Sequence, residues 1–380
     1  MPRTEMPRSV PVTVYRPWLD GVRGIAVLLV VAEHGGQAGG LSLPAGLGET
    51  GVGLFFGLSG YLITGLLLDE AATSGRVDFK AFYIRRAARL LPALLLMLGG
   101  SCVLFVRLGS PEVLLEAVYV LSYLANYATV LEGDYLVAFG QTWSLAIEEH
   151  FYLIWPAVVV LLLTRRGIPS LLRWTLLGCA AALLWRWVLI FGIQAPELLI
   201  YHGSLERVDA LLYGCAAALA VRTGWRPRRW MVWGAVGALA TVVVVTDSGA
   251  IGMSLVQAVI GISSAALVVG LDYVPGLLRR ALSLAPIVGT GLVSYGIYLW
   301  HWPLLIAVPS LGDAQRSALA SAMLGLILTA VVATLSYITL ERPVRAWVRR
   351  WLARSGSAAA TGPSSETRPP GGGGAIGTSG

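Results

Sequence analysis

Two ionisable residues stand near the ends of the first long apolar segment of this sequence. Arg23 and His34 lie eleven residues apart in DGVRGIAVLLVVAEH. In an α-helix, eleven residues advance about 16 Å and return to nearly the same face. An imidazole can act as a general base, and a guanidinium can bind phosphate or carbonyl oxygen. The pair therefore indicates chemistry inside an apolar helix.

Two further apolar segments carry ionisable side chains. TWSLAIEEHFYLIWP contains Glu148 and Glu149 near the start of a helix, and SYGIYLWHWPLL contains His301. A carboxylate beside an imidazole fixes its tautomer and stabilises the imidazolium, as a general base requires. Two adjacent acids point about 100° apart on a helix, so one of them can face inward; both could instead complement the helix dipole. We predict that His34, His301 and one of these acids meet at one depth.

Polar residues in other segments extend the candidate site. Two more predicted helical segments contain several polar side chains, YHGSLERVDALLYG and GVGLFFGLSGYLITGLLL. The serine in GLSGY does not match the G-x-S-x-G nucleophile elbow, so a covalent serine mechanism is not favoured. The residues that we expect to contact the substrate are Ser59, Tyr61, Trp143, Arg207, Asp209 and His301.

Three arginines precede another apolar run, in FYIRRAARLLP. Arg85, Arg86 and Arg89 fit the excess of positive charge that marks cytoplasmic loops. Arg86 and Arg89 are also neighbours on one helical face, a spacing that suits a phosphate clamp.

The composition indicates that the helices carrying these residues lie in a membrane. Of 380 residues, 56% are hydrophobic and 13% charged, against about 25% charged in soluble domains. The net charge of +7 comes from basic clusters at the ends of apolar runs, which is typical of cytoplasmic loops and not of nucleic-acid binding. The three cysteines lie inside apolar runs, so we expect neither a disulfide nor a metal site.

Eleven apolar segments are candidate spans. They are 21–36, 50–68, 90–108, 112–131, 145–163, 172–191, 205–221, 230–246, 250–271, 287–307 and 317–340. The basic loops all fall on the cytoplasmic side only if one segment between 109 and 144 fails to cross. The segment 112–131 contains Glu112, Glu116 and Asn126, so we predict that it is interfacial or re-entrant. The predicted fold is all-α, a polytopic transmembrane bundle of about ten spanning helices plus this segment.

The domain organisation follows from composition. We expect a disordered N-terminus at 1–15, a transmembrane domain at 16–352, and a disordered Gly/Ser/Pro-rich tail at 353–380. The N-terminus lacks the pattern of a signal peptide, and we expect no further soluble domain. Both termini are predicted to be cytoplasmic.

Four stretches in this order resemble the membrane acyltransferase-3 family. They are RPWLDGVRGIAVLLVVAEH, FFGLSGYLITGLLL leading to FYIRRAARLLP, TWSLAIEEHFYLIWP, and SYGIYLWHWPLL followed by LERPVR. The resemblance covers about residues 15–350. It implies an inner-membrane (plasma-membrane) O-acyltransferase that moves an acetyl or similar group from acyl-CoA, without a metal. The acceptor would be a sugar hydroxyl on a surface glycan, glycolipid or glycosylated natural product.

The resemblance also implies roles for individual residues. Arg23 and His34 would be the functional pair with His34 as base, Glu148 the acid of its motif, and Arg86 and Arg89 contacts of the donor. Where Gln or another residue is more usual in the family, this chain has His150, whose role is therefore unsupported. We expect no SGNH-type hydrolase domain after the membrane part, as in a membrane-only member of the family.

These expectations combine into one mechanism. The phosphates of acyl-CoA are held by Arg85, Arg86 and Arg89, and its pantetheine arm passes Arg23. His34 deprotonates the acceptor hydroxyl, and Glu148 or Glu149 orients the imidazole of His34. The alternative is a proton-coupled secondary transporter that uses the same intramembrane His, Glu and Arg. The lack of a clear internal duplication favours the enzyme, and the sequence does not determine the side from which the acceptor enters.

Overall fold

The computed structural model describes residues 15–44, 46–134, 136–244, 249–311 and 317–360, with side chains to 354. These residues are predominantly helical, and no strand occurs among them. The α-helices are α1 Pro17–Ala38, α2 Gly46–Ser74, α3 Phe79–Arg107, α4 Val113–Leu121, α5 Ala125–Glu132, α6 Trp143–Trp187, α7 Glu197–His202, α8 Ser204–Arg222, α9 Arg229–Val244, α10 Ala250–Tyr273, α11 Leu277–Leu282, α12 Ala285–Leu292, α13 Ser294–Ser310, α14 Ala318–Ser336 and α15 Arg342–Ala360. The all-α prediction is confirmed for this part of the chain.

Five helical stretches in the described ranges are long and apolar enough to cross a membrane. They are Gly46–Ser74, Phe79–Arg107, Gly140–Ile193, Ala250–Tyr273 and Ala318–Arg354, and a sixth arises if α12 and α13, bent by 67°, form one span. This supports a multi-pass membrane protein, while the count of about ten stays a prediction. Helices α1 and α8 are 22 and 19 residues long, but their buried charges lower their hydropathy.

A break divides the longest helix. In α6, Gly167 has φ 73° and ψ 178°, outside the helical region, and Pro169 follows it. Glycine adopts positive φ without the steric cost that a side chain would add. The 45 residues of α6 therefore form two apolar arms, which correspond to the predicted segments 145–163 and 172–191.

The segment that was predicted not to cross folds as two short helices. Helices α4 and α5 contain nine and eight residues, well short of the roughly 20 that a helical span needs. Between them Tyr123 has a positive φ of 56°. The Glu116 carboxylate accepts hydrogen bonds from the backbone N–H groups of Val137 and Ala138, each at 2.9 Å. This segment is therefore tied to the chain that leads into α6, and it agrees with the prediction of a non-spanning element.

Close helix packing builds the centre of the molecule. Helix α8 packs against both α2 and α6, and α1 packs against α2 and α12. A Cβ atom at Gly60 would lie 2.0 Å from the carbonyl oxygen of Leu211, and one at Gly214 would lie 2.1 Å from that of Gly57. Only glycine permits such an approach, as is common between helices in lipid. The close contact places the polar residues of α2 beside those of α6 and α8.

The predicted domain limits stay predictions. Helix α15 continues to Ala360, which lies within the stretch 353–380 that was predicted to be disordered. The rest of that tail lies outside the described residues. So does the predicted N-terminal stretch 1–15, apart from the exposed Tyr15.

Candidate active site

A cavity of about 250 Å³ surrounds His34, and we call it the histidine cavity. Helices α1, α2, α6 and α13 supply most of its walls. Its lining residues are Val30, Glu33, His34, Gln37, Gly48, Glu49, Val52, Gly140, Gln141, Trp143, Tyr201, Tyr298 and Trp302. The lining is polar and aromatic, in a bundle whose other buried surfaces are mostly aliphatic.

A chain of hydrogen bonds fixes the tautomer of His34. His301 Nδ1 lies 2.7 Å from the carbonyl oxygen of Tyr298, which can only accept, so Nδ1 carries a proton. His301 is fully buried at 0% exposure, and no carboxylate pairs with it among the described residues, which favours the neutral ring. Its Nε2 then accepts from Nδ1 of His34 at 2.9 Å. The lone pair of His34 is therefore on Nε2, where a general base would need it.

A second cavity, of about 290 Å³, contains the arginines and is called the arginine cavity. It is lined by Arg23, Val52, Phe55, Phe56, Ser59, Leu62, Ile63, Leu66, Arg86, Arg89, Leu90, Ser144, Leu145, Glu148, Tyr152, Ser294, Tyr295 and Tyr298. Three cationic side chains, one carboxylate and three serine hydroxyls face an otherwise apolar and aromatic space. Such a cavity suits an anionic or strongly polar ligand with a slender apolar part.

The three arginines of this cavity have different partners. Arg86 forms a bidentate pair with Glu149, in which its Nε lies 2.9 Å from Oε1, and its guanidinium stacks 3.2 Å from the centroid of Tyr152. Arg23 pairs with Asp20 at 2.7 Å. Arg89 is exposed to the cavity and has no hydrogen bond or ion pair with any other described residue. Arg89 is therefore the cation most available to a ligand.

The two acids of the IEE motif lie in or beside the arginine cavity and not beside His34. Glu148 accepts a hydrogen bond from the Ser59 hydroxyl at 2.8 Å, and Glu149 pairs with Arg86. The expectation that one of them orients His34 is corrected, because His301 holds that position. The opposite charges of Arg86 on α3 and Glu149 on α6 meet at this level.

Other predicted substrate contacts lie outside both cavities. Tyr61 donates to Asp272 at 2.5 Å, and Asp209 forms a buried bidentate pair with Arg186. Arg207 is 2% exposed and pairs with Glu49 at 3.2 Å. Each of these groups has a polar partner inside the bundle, and none of them lines either cavity. That they contact the substrate stays a prediction.

The remaining predicted residues divide between the cavities and the surface. Ser59 lines the arginine cavity and Trp143 the histidine cavity, while His301 lies behind His34. Arg85 instead faces outward on α3, where it pairs with Glu70 at 3.3 Å. Its position on the helix turns it away from the face that carries Arg86.

Tyr298 and Val52 line both cavities and so form the contact between them. The Tyr298 hydroxyl donates to the carbonyl oxygen of Gln141 at 2.8 Å and therefore accepts from Ser144 at 2.6 Å. The same residue supplies the carbonyl that orients His301. A ligand that reached from one cavity to the other would pass this tyrosine.

Several lining residues of the histidine cavity were not identified from the sequence. Glu33 and Gln37 flank His34 in AEHGGQ, Glu49 opens α2, and Trp302 follows His301. The sequence feature that could have identified them is the number of polar residues close to a histidine in an apolar segment. No group of three or more His, Cys, Asp or Glu that could hold a metal ion occurs in the described ranges.

Comparisons with known proteins find relatives that are named as O-acetyltransferases. It is 31% identical over 363 residues to YrhL of Bacillus subtilis, covering 87% of this chain and 55% of that protein. It is 30% identical to the peptidoglycan O-acetyltransferase OatA of Listeria monocytogenes, covering 87% and 56%. It is also 30% identical to the O-acetyltransferase OatA of Staphylococcus aureus, covering 87% and 57%. The chain thus spans little more than half the length of these curated relatives.

No solved structure matches the chain. The sequence model of the acyltransferase-3 family, described as an acyltransferase domain, matches residues 16–341. That range includes every residue of both cavities, and it confirms the resemblance carried by the four sequence stretches. The chain therefore belongs to the acyltransferase-3 family.

Proposed function

We propose that this chain transfers an acetyl or similar short acyl group from acyl-CoA to a hydroxyl of a sugar at the plasma membrane. The acceptor is a glycan, a glycolipid or a glycosylated small molecule. One observation carries the proposal: the arginine cavity and the histidine cavity adjoin at Val52 and Tyr298. A donor with phosphates and an acceptor that loses a proton would meet there. The similarity to proteins named as O-acetyltransferases supports the choice of acyl group.

The donor is assigned to the arginine cavity. Its volume of about 290 Å³ is at the lower limit of small-molecule pockets, about 300–1,000 Å³. It therefore takes the slender acyl-pantetheine arm, while the nucleotide stays at the entrance. Arg89 and Arg23 supply positive charge to the phosphates and the polar arm. Arg86 is held by Glu149 and forms a wall beside Tyr152.

The reaction is assigned to His34. Its Nε2 removes the proton of the acceptor hydroxyl, and the oxygen attacks the thioester carbonyl carbon. The new C–O bond forms, the C–S bond breaks, and the leaving thiolate takes the proton from the imidazolium. The products are an ester and CoA thiol. A base of this kind contributes about 10²–10⁴-fold.

Two carboxylates support the transient imidazolium. Glu33 and Glu49 line the same cavity as His34, so they stabilise positive charge there without contacting the ring. We assign Glu148 to the donor side, where it accepts from Ser59 and fixes that hydroxyl in the arginine cavity.

The test is acceptor-dependent release of CoA thiol by the purified chain in nanodiscs, with acetyl-CoA and a panel of glycosides. The wild type is compared with His34→Gln and with His150→Gln. His150 lies outside both cavity linings and contacts Ser204 at 2.7 Å, so it is a matched histidine control. We expect release in the wild type and the control, and at least about a 10²-fold lower rate in His34→Gln.

Two results would count against the proposal. Release that His34→Gln leaves unchanged would remove His34 as the base. Folded wild-type protein that releases no thiol with any acceptor would contradict acyl transfer. Glycoside-driven proton uptake by that protein in sealed vesicles would then favour the transporter alternative.

A further inference from the structure

The polar groups of the histidine cavity are mostly hydrogen-bond acceptors. Glu33 and Glu49 present carboxylates, and Gln37 presents an exposed amide. Gln141 donates its Nε2 to the carbonyl oxygen of Leu299 at 2.7 Å. That bond leaves its amide oxygen without a partner among the described residues. Nε2 of His34 adds another acceptor. A ligand that complements this lining must be rich in hydroxyl donors.

One of the two indole donors of the cavity is already engaged. Trp302 donates its Nε1 to the carbonyl oxygen of Val137 at 3.0 Å, and its ring meets His34 edge-on with centroids 4.9 Å apart. Together with Trp143 and Tyr201 it gives the cavity aromatic walls. Apolar walls with acceptors between them fit a ring that has flat C–H faces and hydroxyl groups at its edge.

The two carboxylates of the cavity differ in their charge balance. Glu49 is paired with Arg207, which lies behind it at 3.2 Å. Glu33 accepts the backbone N–H of Gly48 at 2.7 Å and approaches Nε2 of Gln37 at 3.5 Å. No ion pair within the described ranges neutralises Glu33. No arginine or lysine lines the cavity either. An anionic ligand would therefore meet uncompensated like charge.

We propose that the histidine cavity selects acceptors by charge, so that it binds uncharged, hydroxyl-rich rings and excludes anionic ones, with Glu33 as the selecting residue. This inference rests on the proposed function, because it describes the acceptor of that reaction. It goes further than that function by stating that the acceptor carries no negative charge. Like charges placed against each other are an effective means of rejecting a wrong partner.

The experiment compares two acceptors that differ only in charge. They are the methyl glycoside of N-acetylmuramic acid and the same glycoside with its carboxylate converted to a carboxamide. Binding of each to the protein in nanodiscs is measured by calorimetry, and thiol release from acetyl-CoA is measured separately. The variants are Glu33→Gln, which keeps an acceptor for the Gly48 N–H, and Glu112→Gln, which removes an exposed carboxylate outside the cavity.

In the wild type we expect the carboxamide to bind roughly tenfold or more tightly than the carboxylate. Glu33→Gln should reduce that ratio towards one, and Glu112→Gln should leave it unchanged. A ratio of two affinities is insensitive to the fraction of active protein, so partial misfolding of a variant cannot imitate the result.

Equal affinity for the two glycosides, or no affinity for either, would overturn the inference. So would a preference for the carboxamide that survives Glu33→Gln. If the carboxamide binds selectively but no thiol is released, the proposed function fails while the charge selection stands. The binding and turnover measurements therefore separate the two hypotheses.

Discussion

At the scale of single residues, the tautomer of His34 depends on His301. The hydrogen bond between His34 Nδ1 and His301 Nε2 places the lone pair of His34 on Nε2. We predict that His301→Leu lowers kcat about 10²-fold, because His34 can then adopt the other tautomer. The KM for acetyl-CoA should stay within about twofold.

His301→Gln is the conservative control, since its amide oxygen can accept the Nδ1–H of His34. We expect this variant to retain more activity than His301→Leu. Steady-state thiol release with both substrates varied gives the two constants separately. Equal activity in the two variants would show that the acceptor at this position does not matter.

The neighbouring arginines allow a second prediction. Arg89 faces the arginine cavity without a described partner, whereas Arg85 pairs with Glu70 and is 40% exposed. We predict that Arg89→Ala raises the KM for acetyl-CoA by about tenfold, as expected for the loss of a charge-assisted contact. Arg85→Ala should change it by less than about twofold. If both variants weaken the donor equally, the phosphates bind at the surface and not in the cavity.

The residues of the site were partly predictable from sequence. An arginine, a histidine and two acids inside apolar helices are costly in lipid, so they could be identified without a structure. The side chains with which they pair could not be identified in this way. Glu149 on α6 reaches Arg86 on α3 through the side chains alone, and His34 meets His301 because α1 packs against α13. Such pairings depend on helix rotation and depth, which composition and spacing do not determine.

At the scale of helices, a buried ion pair joins α6, α8 and α10. Arg186 contacts both carboxylate oxygens of Asp209, at 2.9 and 2.7 Å. It also contacts the carbonyl oxygen of Glu206 at 2.6 Å and the hydroxyl of Ser254 at 3.2 Å. The two side chains are 0% and 1% exposed. Because α8 also carries Arg207, which holds Glu49, this network positions one wall of the histidine cavity.

Removing one partner of this pair should destabilise the fold. We predict that Asp209→Leu costs about 3–5 kcal/mol in the free energy of unfolding, because it leaves an uncompensated buried guanidinium. The double variant Arg186→Leu with Asp209→Leu should be more stable than the single variant. Unfolding in detergent micelles measures both, and Arg85→Ala serves as an exposed control with a cost of less than about 1 kcal/mol. A double variant as unstable as the single one would contradict the prediction.

The helices themselves were more predictable than their boundaries. Apolar runs of about 20 residues identify candidate spans. Acidic residues distinguished the segment 112–131 from these spans, and it folds as α4 and α5. The end of α15 at Ala360 could not be predicted, because the helix continues through a change in composition. The 67° bend between α12 and α13 has no clear signal in the sequence.

At the scale of the whole molecule, the two cavities lie towards opposite ends of α1. Arg23 lines the arginine cavity near the start of this helix, and His34 lines the histidine cavity near its end. Eleven residues separate them by about 16 Å along the axis. If the N-terminus is cytoplasmic, as the basic loops predict, the donor enters from inside. The acceptor then approaches from outside, and acyl-CoA never crosses the membrane.

Cysteine labelling tests this sidedness. Gln37 at the histidine cavity and Arg85 beside the arginine cavity are both exposed, so cysteines there can react with a maleimide. The native residues Cys102, Cys179 and Cys215 are free thiols and are first replaced by serine or alanine. In intact cells, a membrane-impermeant maleimide should label Gln37→Cys and spare Arg85→Cys, and in inside-out vesicles the pattern should reverse. Labelling of both positions from one side would place donor and acceptor on the same face and contradict transfer across the membrane.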